Sequence, residues 1–159
     1  PVFVGVVMAG RIGASIASEL ASMKVTEQVD ALTSMSLDPI LYLVIPRVFA
    51  LILMLPLLIG FGDLIGFFAG FCVAVLPGTV NLHSYLGGAF SMLGVADIVY
   101  GLLKGVFFAF IIVLVGAFKG LSTKKGAKGV GIATTQSVVL SMVLIFIVNF
   151  FLSQLFFYD

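Results

Sequence analysis

The stretch IVYGLLKGVFFAFIIVLVGAF, residues 98–118, holds a single charged side chain, Lys104. A helix needs about 20 predominantly apolar residues to cross a hydrocarbon core of roughly 30 Å, and this run meets that length with little to spare. Its apolar residues are continuous rather than alternating with polar ones, which favours a helix over a strand. Residues 98–118 are therefore predicted to form a transmembrane helix.

The composition of the whole chain agrees with that interpretation. Hydrophobic residues make up 62% of the 159 residues and charged residues 9%, whereas soluble domains carry roughly 25% charged residues. So few charges cannot cover the surface of a soluble domain of this length. The sequence thus predicts an all-α integral membrane protein, a polytopic helical bundle. The net charge of +1 gives no indication of a nucleic-acid partner.

Two further runs, residues 48–76 and 134–157, are also long enough to cross a membrane. The first is longer than needed, so it must tilt, kink or extend past the bilayer, and Pro56 offers a site for a kink. Residues 1–10 are apolar but too short to cross, and they lack the basic start of a signal peptide. We expect a single transmembrane domain over residues 1–159 whose N-terminal portion is missing.

The basic residues predict the orientation of these helices. Residues 77–97 contain no Lys or Arg, whereas residues 119–131 contain four lysines. Basic connections stay on the cytoplasmic side, so residues 11–38 and the basic loop 119–131 are predicted to be cytoplasmic, and residues 77–97 periplasmic. The C-terminus should then face the outside, with Tyr158 at the membrane interface.

Residues 11–38 have the pattern of a helix, a joint and a second, short helix. Four apolar residues recur three or four positions apart and form one stripe: Ile12, Ile16, Leu20 and Met23. Polar side chains occupy another face: Ser15, Ser18, Glu19 and Ser22. Thr26 is a candidate N-cap of the short helix, and Asp38 of the helix after it, with Pro39 in its first turn. The stretch is either an amphipathic connector or a docking helix for a cytoplasmic protein.

Long segments of this sequence resemble the MlaE/YrbE family, the permease subunits of MCE-associated lipid ABC transporters. The matching segments are AGRIGASIASELASMKVTEQVDAL (9–32), LDPILYLVIPRVFA (37–50) and KGVGIATTQSVVLSMVLI (128–145). The resemblance extends over essentially the whole chain. It also agrees with a missing N-terminal portion, because family members carry an additional segment of about 100 residues with an interfacial helix and earlier spans.

The resemblance implies a homodimeric permease in the bacterial inner membrane. A cytoplasmic ABC ATPase would bind each copy, and a periplasmic MCE protein would exchange phospholipid with it. Residues 11–38 would be the cytoplasmic coupling region, with these candidate contacts to the ATPase: Glu19, Lys24, Thr26, Glu27, Gln28 and Asp30. The sequence contains no GxxxxGK[ST] phosphate loop, so ATP and Mg²⁺ are expected on the partner, and this chain is expected to be neither an enzyme nor cofactor-dependent.

Three polar side chains lie in or near the predicted spans: Asp63, Lys104 and Asn149. A charge at the bilayer centre costs at least about 2.5 kcal/mol, so such groups normally face other helices or a cavity. Lys104 either extends to the outer interface or holds a lipid phosphate, and Asp97, seven residues earlier, could help to shape the mouth of the lipid path.

For Asp63 we expect one of two roles. Either its carboxyl group is neutralised by a proton or a hydrogen bond between helices, or it lines the lipid path. Asn149 favours an interhelical hydrogen bond. Many family members have Asp at the position of Asn149, and this chain departs from them there.

Glycines in the first long span recur every four residues: Gly62, Gly66 and Gly70, followed by Ala74. They leave a smooth groove for another helix, within the subunit or at a dimer contact, and we favour packing within the subunit. A lone cysteine, Cys72, and a lone histidine, His83, predict neither a disulfide nor a metal site. A secondary transporter and a structural membrane subunit remain alternative functions.

Overall fold

The computed structural model describes residues 1–78, 80–124 and 126–157. Within them the chain forms seven α-helices and two π-helical segments and no β-strand. The α-helices are α1 (Val2–Met8), α2 (Ala14–Val25), α3 (Gln28–Ser34), α4 (Ile45–Val75), α5 (Leu82–Met92), α6 (Val95–Leu121) and α7 (Gly126–Phe157). The π-helical segments are Ala9–Gly13, between α1 and α2, and Ile40–Val44, directly before α4. Lys125 of the predicted basic loop and Tyr158 lie outside the described residues.

Four helical units of the described chain are long and apolar enough to cross a membrane. They are Val2–Val25, Ile40–Val75, Val95–Leu121 and Gly126–Phe156. The predicted all-α membrane bundle is thereby confirmed. Helices joined by the π-helical segments count as one unit, because the backbone continues through each segment in the right-handed helical region.

Helix α6 lies at the centre of the bundle and packs against α2, α4 and α7. Its inward face includes Phe108, Ile112 and Val113, all fully buried. Gly5 approaches Phe108 and Leu20 approaches Gly120, so the first unit runs parallel to α6. Helices α4 and α7 run antiparallel to α6, as shown by the neighbours Ile59 with Gly105 and, on α7, by Gln136 with Lys119 and Ser153 with Lys104.

Small residues bring α2 and α6 close together. A Cβ atom added at Gly120 would lie 2.7 Å from Cβ of Leu20 and 2.9 Å from the carbonyl oxygen of Ala17. At Gly116 an added Cβ would lie 3.3 Å from the carbonyl oxygen of Gly13. Backbones approach this closely only where side chains are absent, which is how helices associate in membranes.

The predicted glycine groove on α4 is used within the subunit at two of its three glycines. A Cβ added at Gly62 would lie 3.0 Å from Val4, and one added at Gly70 would lie 3.0 Å from the hydroxyl oxygen of Tyr85. Gly66 has nothing within 4 Å of such an atom. The preference for packing within the subunit therefore agrees with the contacts at Gly62 and Gly70.

Helix bounds differ from the predictions in three places. Helix α6 ends at Leu121 and α7 begins at Gly126, so most of the predicted basic loop 119–131 is helical. The first unit continues from Ala9–Gly13 through α2 to Val25, so residues 11–25, predicted to belong to the connection, extend the first helix and pack on α6 and α7. The predicted connection 77–97 contains α5, whose Tyr85 hydroxyl donates a hydrogen bond of 3.1 Å to the carbonyl of Phe67. A helix end does not mark the membrane surface, so the membrane boundaries stay predictions.

Candidate functional site

The first candidate region is the end of the bundle where α2 turns into α3. The predicted apolar stripe of α2 is confirmed there, because Ile16 and Leu20 are buried and Ser15, Glu19 and Ser22 are exposed. The short helix α3 is also confirmed. It is held to the bundle by Val29, which is buried, while most of its other side chains face outward.

The joint between α2 and α3 does not use Thr26 as predicted. The Thr26 hydroxyl donates a 2.9 Å hydrogen bond back to the carbonyl of Ser22, so it closes α2 rather than capping α3. Glu27 occupies the N-cap position with φ of 62°, in the left-handed region, and makes no side-chain cap. A non-glycine residue in this region carries a conformational cost. At this joint the side chains of Glu27 and Gln28 are both exposed.

Asp38 caps the next helical segment as predicted. Its Oδ1 accepts a hydrogen bond of 2.9 Å from the backbone N–H of Ile40. Pro39 precedes the π-helical segment Ile40–Val44, where its fixed φ suits the start of a helix. This cap fixes the residue at which the α4 unit begins.

Two of the six candidate coupling residues form an ion pair with each other. The Lys24 Nζ atom lies 2.6 Å from Oδ1 of Asp30 and donates a hydrogen bond to it. The pair joins the last turn of α2 to the first turn of α3, and both side chains are partly exposed. An exposed pair of this kind contributes at most about 1 kcal/mol. Its geometric effect is to fix the angle of α3.

Glu19 has a partner that sequence reasoning missed. Nη2 of Arg47, near the start of α4, lies 2.7 Å from Oε1 of Glu19 on α2. The side chain of Arg47 is only 23% exposed, and its Nη1 atom is buried without a hydrogen-bond partner among the described residues. Glu19 therefore connects the two helical units on either side of α3. Arg47 lies 28 residues away, so no helical spacing pointed to the pair.

A hollow of about 350 Å³ lies beside α3. It is formed by α3 and the end of α2 on one side and the start of the α4 unit on the other. Its walls are mostly apolar and include Met23, Leu32, Met35, Tyr42 and Leu43, with the polar side chain of Gln28 at the same site. The exposed residues Glu27 and Gln28 are thus adjacent to a concave apolar surface.

The second candidate region lies at the opposite end of α6. Lys104 is 7% exposed and donates a 2.8 Å hydrogen bond from Nζ to Oγ of Ser153 on α7. The lysine therefore lies between α6 and α7 rather than along the outer surface of the bundle. Its location agrees with the interior-facing interpretation and disagrees with extension to the interface.

Asn149 precedes Ser153 by four residues on α7, so the two side chains share a face of that helix. Its Oδ1 atom is buried and accepts no hydrogen bond from any described residue. The interhelical hydrogen bond predicted for Asn149 is therefore not formed at this oxygen. A buried acceptor without a donor costs about 1–3 kcal/mol.

Asp97 and Asp63 differ in their surroundings. Oδ2 of Asp97 accepts a 3.0 Å hydrogen bond from the backbone N–H of Gly94, so this carboxylate stabilises the start of α6. Asp63 on α4 is exposed, and its Oδ2 atom lies 3.9 Å from where a Cβ on Gly101 of α6 would lie. Asp63 therefore lies near Gly101 of α6, about one helical turn from Lys104. The carboxylate of Asp97 instead caps the start of α6.

A buried polar seam on α7 faces the π-helical segment Ala9–Gly13. Ser137 and Ser141 are fully buried. The Ser137 hydroxyl donates a 3.4 Å hydrogen bond to the carbonyl of Gly13, and the Ser141 hydroxyl has no partner among the described residues. π-helical segments are frequent at functional sites. Sequence patterns did not predict this contact, because both helices are apolar along most of their length.

Comparison with known proteins gives a consistent result. The family model described as permease MlaE matches residues 1–155. The chain is 48% identical to a probable ABC transporter permease protein of Rickettsia prowazekii, over 99% of this chain and 61% of that protein. It is 44% identical to a probable ABC transporter permease protein of Synechocystis, over 99% of this chain and 60% of that protein.

A plant protein is also similar. The chain is 39% identical to the chloroplastic protein TRIGALACTOSYLDIACYLGLYCEROL 1 of Arabidopsis thaliana, over 99% of this chain and 45% of that protein. The chain therefore spans about three fifths of the length of its bacterial relatives and less than half of the plant relative.

Proposed function

The chain belongs to the MlaE permease family, and on that premise we propose that it is the membrane subunit of an ATP-driven phospholipid transporter. In this proposal a homodimer of the permease lies in the bacterial inner membrane, with its C-terminus in the periplasm. A separate ABC ATPase binds at the α3 end, and a periplasmic MCE protein exchanges lipid at the opposite end. The transporter would maintain the lipid asymmetry of the outer membrane.

The observation that carries the proposal is the geometry at the α3 end. Glu27 and Gln28 project from a left-handed joint next to an apolar hollow, while the Lys24–Asp30 and Glu19–Arg47 pairs hold the surrounding helices. Such a surface suits a folded protein partner, since its charges are mixed in sign rather than uniformly basic. Movement of a bound ATPase would be transmitted to α2 and α4 through the two ion pairs.

A lipid path at the opposite end is supported by the polar groups between α6 and α7. A phosphate crossing a low-dielectric region needs a compensating charge. Lys104 supplies one, and the buried Oδ1 of Asn149, an acceptor, suits a donor group on the lipid rather than the phosphate itself. The amide of Asn149 cannot repel a phosphate as an aspartate would. The plant relative's name refers to a glycerolipid, which agrees with a lipid substrate.

Reconstitution of the full-length protein tests the proposal. The permease, the ATPase expressed with it and an MCE-domain protein would be placed in proteoliposomes holding fluorescent phospholipid. We expect lipid exchange that requires ATP and stops when the ATPase is catalytically inactive. Lipid movement that follows an ion gradient and ignores ATP would instead identify a secondary transporter, for which paired ionisable groups at the midplane are typical. Absence of any lipid movement with all three components active would favour a structural subunit.

A further inference from the structure

A second hollow, of about 320 Å³, lies between the end of α6 and the start of α7. It is on the same side of the bundle as α3, because Gly120 of α6 contacts Leu20 near the end of α2. Its lining combines cationic, hydroxyl, amide and apolar groups, among them Phe118, Lys119, Ser122, Lys124, Ile132 and Gln136. The candidate coupling residues and the Lys104 region do not contribute to it.

The positive charge of this hollow has no counterpart in its own part of the chain. The sequence has no Asp or Glu between Asp97 and Asp159, and Asp97 lies at the other end of α6. The Lys119 Nζ atom donates a 3.2 Å hydrogen bond to Oε1 of Gln136, a neutral acceptor that leaves the charge uncompensated. The two ion pairs of the described residues involve neither Lys119 nor Lys124. An anion from outside the chain is the natural partner for such a site.

Apolar walls distinguish this hollow from a simple basic loop. Phe118 on α6 and Ile132 on α7 have exposed side chains that line the hollow together with Lys119 and Lys124. A water-soluble anion gains nothing from these surfaces. A phospholipid would place its phosphate against the ammonium groups and its glycerol and first acyl carbons against Phe118 and Ile132.

We propose that this hollow is a binding site for the headgroup of an anionic phospholipid from the adjacent leaflet. Lys119 and Lys124 bind the phosphate, and Ser122 is placed to donate a hydrogen bond to it. The site is separate from the lipid path proposed above, because Lys119 and Lys104 are 15 residues apart on α6, or roughly 22 Å by helix rise. A lipid held here would fix the α6–α7 connection beside the ATPase without being transported.

The chain provides a matched control for the experiment. Lys124 precedes α7 and Lys128 lies in the first turn of α7. Both are exposed, but only Lys124 lines the hollow. The full-length complex would be purified, depleted of lipid and titrated with phosphatidylglycerol or phosphatidylcholine, with bound lipid counted by native mass spectrometry. We expect tighter binding of phosphatidylglycerol to the parent, roughly fivefold weaker binding in Lys124→Gln, and little change in Lys128→Gln. Lys119→Gln with Lys124→Gln should remove most of the preference.

Further binding measurements distinguish an anionic phospholipid from free phosphate. Inorganic phosphate at millimolar concentration should not displace phosphatidylglycerol, since it lacks the contacts to Phe118 and Ile132. Displacement by phosphate, with equal binding of the two lipids, would show a site for free phosphate and overturn the proposal. Equal loss of phosphatidylglycerol in Lys124→Gln and Lys128→Gln would reduce the effect to general surface charge and also overturn it. Loss of the ATPase from the lysine variants with lipid binding unchanged would assign the lysines to the protein partner instead.

Discussion

Glu19 on α2 and Arg47 near the start of α4 are joined by an ion pair of 2.7 Å between Oε1 and Nη2. Glu19 and Arg47 are 28 positions apart with α3 between them, so the two helical units that flank α3 are directly connected. The side chain of Arg47 is 23% exposed and its Nη1 atom is buried, whereas the side chain of Glu19 is 57% exposed. Removal of Glu19 therefore leaves a poorly hydrated guanidinium without its acceptor, whereas removal of Arg47 leaves a carboxylate that water can reach.

This asymmetry gives the first prediction. Glu19→Gln and Arg47→Gln, combined in a double-mutant cycle, should reveal a coupling free energy of about 1–2 kcal/mol, between the values for exposed and buried pairs. The same cycle on Lys24 and Asp30 should give a smaller value, about 0.5 kcal/mol, because Lys24 is 32% exposed and better hydrated than Arg47 at 23%. Unfolding in mixed micelles measures both. Equal coupling in the two cycles would mean that Glu19–Arg47 is an ordinary surface pair.

The second prediction concerns Glu27. Glu27→Lys should reduce ATPase binding or lipid-dependent ATPase activity while the chain still inserts, because its side chain is exposed on the proposed docking surface. Glu27→Gly is the control for the backbone, since glycine adopts the left-handed conformation at φ of 62° without cost. The strain removed, about 1–2 kcal/mol, is partly offset by the greater freedom of glycine in the unfolded chain, so stability should not fall, while coupling should still weaken. Normal coupling in both variants would remove Glu27 from the docking surface.

A third prediction tests the close packing of α2 on α6. Gly120→Ala should lower the thermal stability in detergent by an amount equivalent to about 1–3 kcal/mol, because the new methyl group would meet Leu20 and the carbonyl of Ala17. Gly131→Ala on α7 is the matched control, since nothing lies within 4 Å of its added Cβ. Its melting temperature should be no lower than that of the parent. A stable Gly120→Ala variant would show that the two helices can separate at little cost.

The sequence could predict the local features of this fold but not its long-range contacts. The membrane class, the short α3 and the Asp38 cap follow from local patterns, namely apolar run length, periodicity and capping chemistry. The Glu19–Arg47 pair, the Lys104–Ser153 hydrogen bond and the contact of Gly120 with Leu20 join residues 28 to 100 positions apart. Such contacts depend on how the helices pack, and a single sequence carries no periodic signal for them.

Thr26 shows why a local rule gave a wrong answer, and residues 11–25, correctly predicted to be helical, show why their continuity with the first helix was missed. Threonine is a good N-cap residue, but its hydroxyl also bonds readily to a carbonyl one turn earlier, and here it does so. Residues 11–25 contain Arg11, Glu19 and Lys24, which suggested a connection. Their small residues Gly13, Ala17 and Ala21 instead pack on α6 and extend the first helix.

The fourth prediction tests the orientation. Single cysteines placed at Ser84 on α5 and at Ser122 after α6, with Cys72 replaced by Ala, should react with a membrane-impermeant maleimide from opposite sides of intact cells. Both positions are exposed, so labelling depends on sidedness rather than burial. Ser84 should label from the outside, because residues 77–97 contain no basic residue. Outside labelling at Ser122 would reverse the orientation and place α3 away from the cytoplasmic ATPase.

The last prediction concerns Lys104. Lys104→Ala should weaken ATP-driven lipid transfer while leaving dimer assembly and ATPase binding intact, because the substitution removes the cation of the proposed path at the end of the bundle far from α3. Lys104→Arg should retain part of the activity, since it keeps the charge but changes its shape. Ser153→Ala keeps the ammonium group and removes only its hydroxyl partner, so its effect should be smaller than that of Lys104→Ala. Lipid transfer in proteoliposomes and photo-cross-linking of lipid to α7 measure these effects. If Lys104→Ala transfers and cross-links lipid like the parent, Lys104 is a packing residue between α6 and α7, and the lipid follows another face of the bundle.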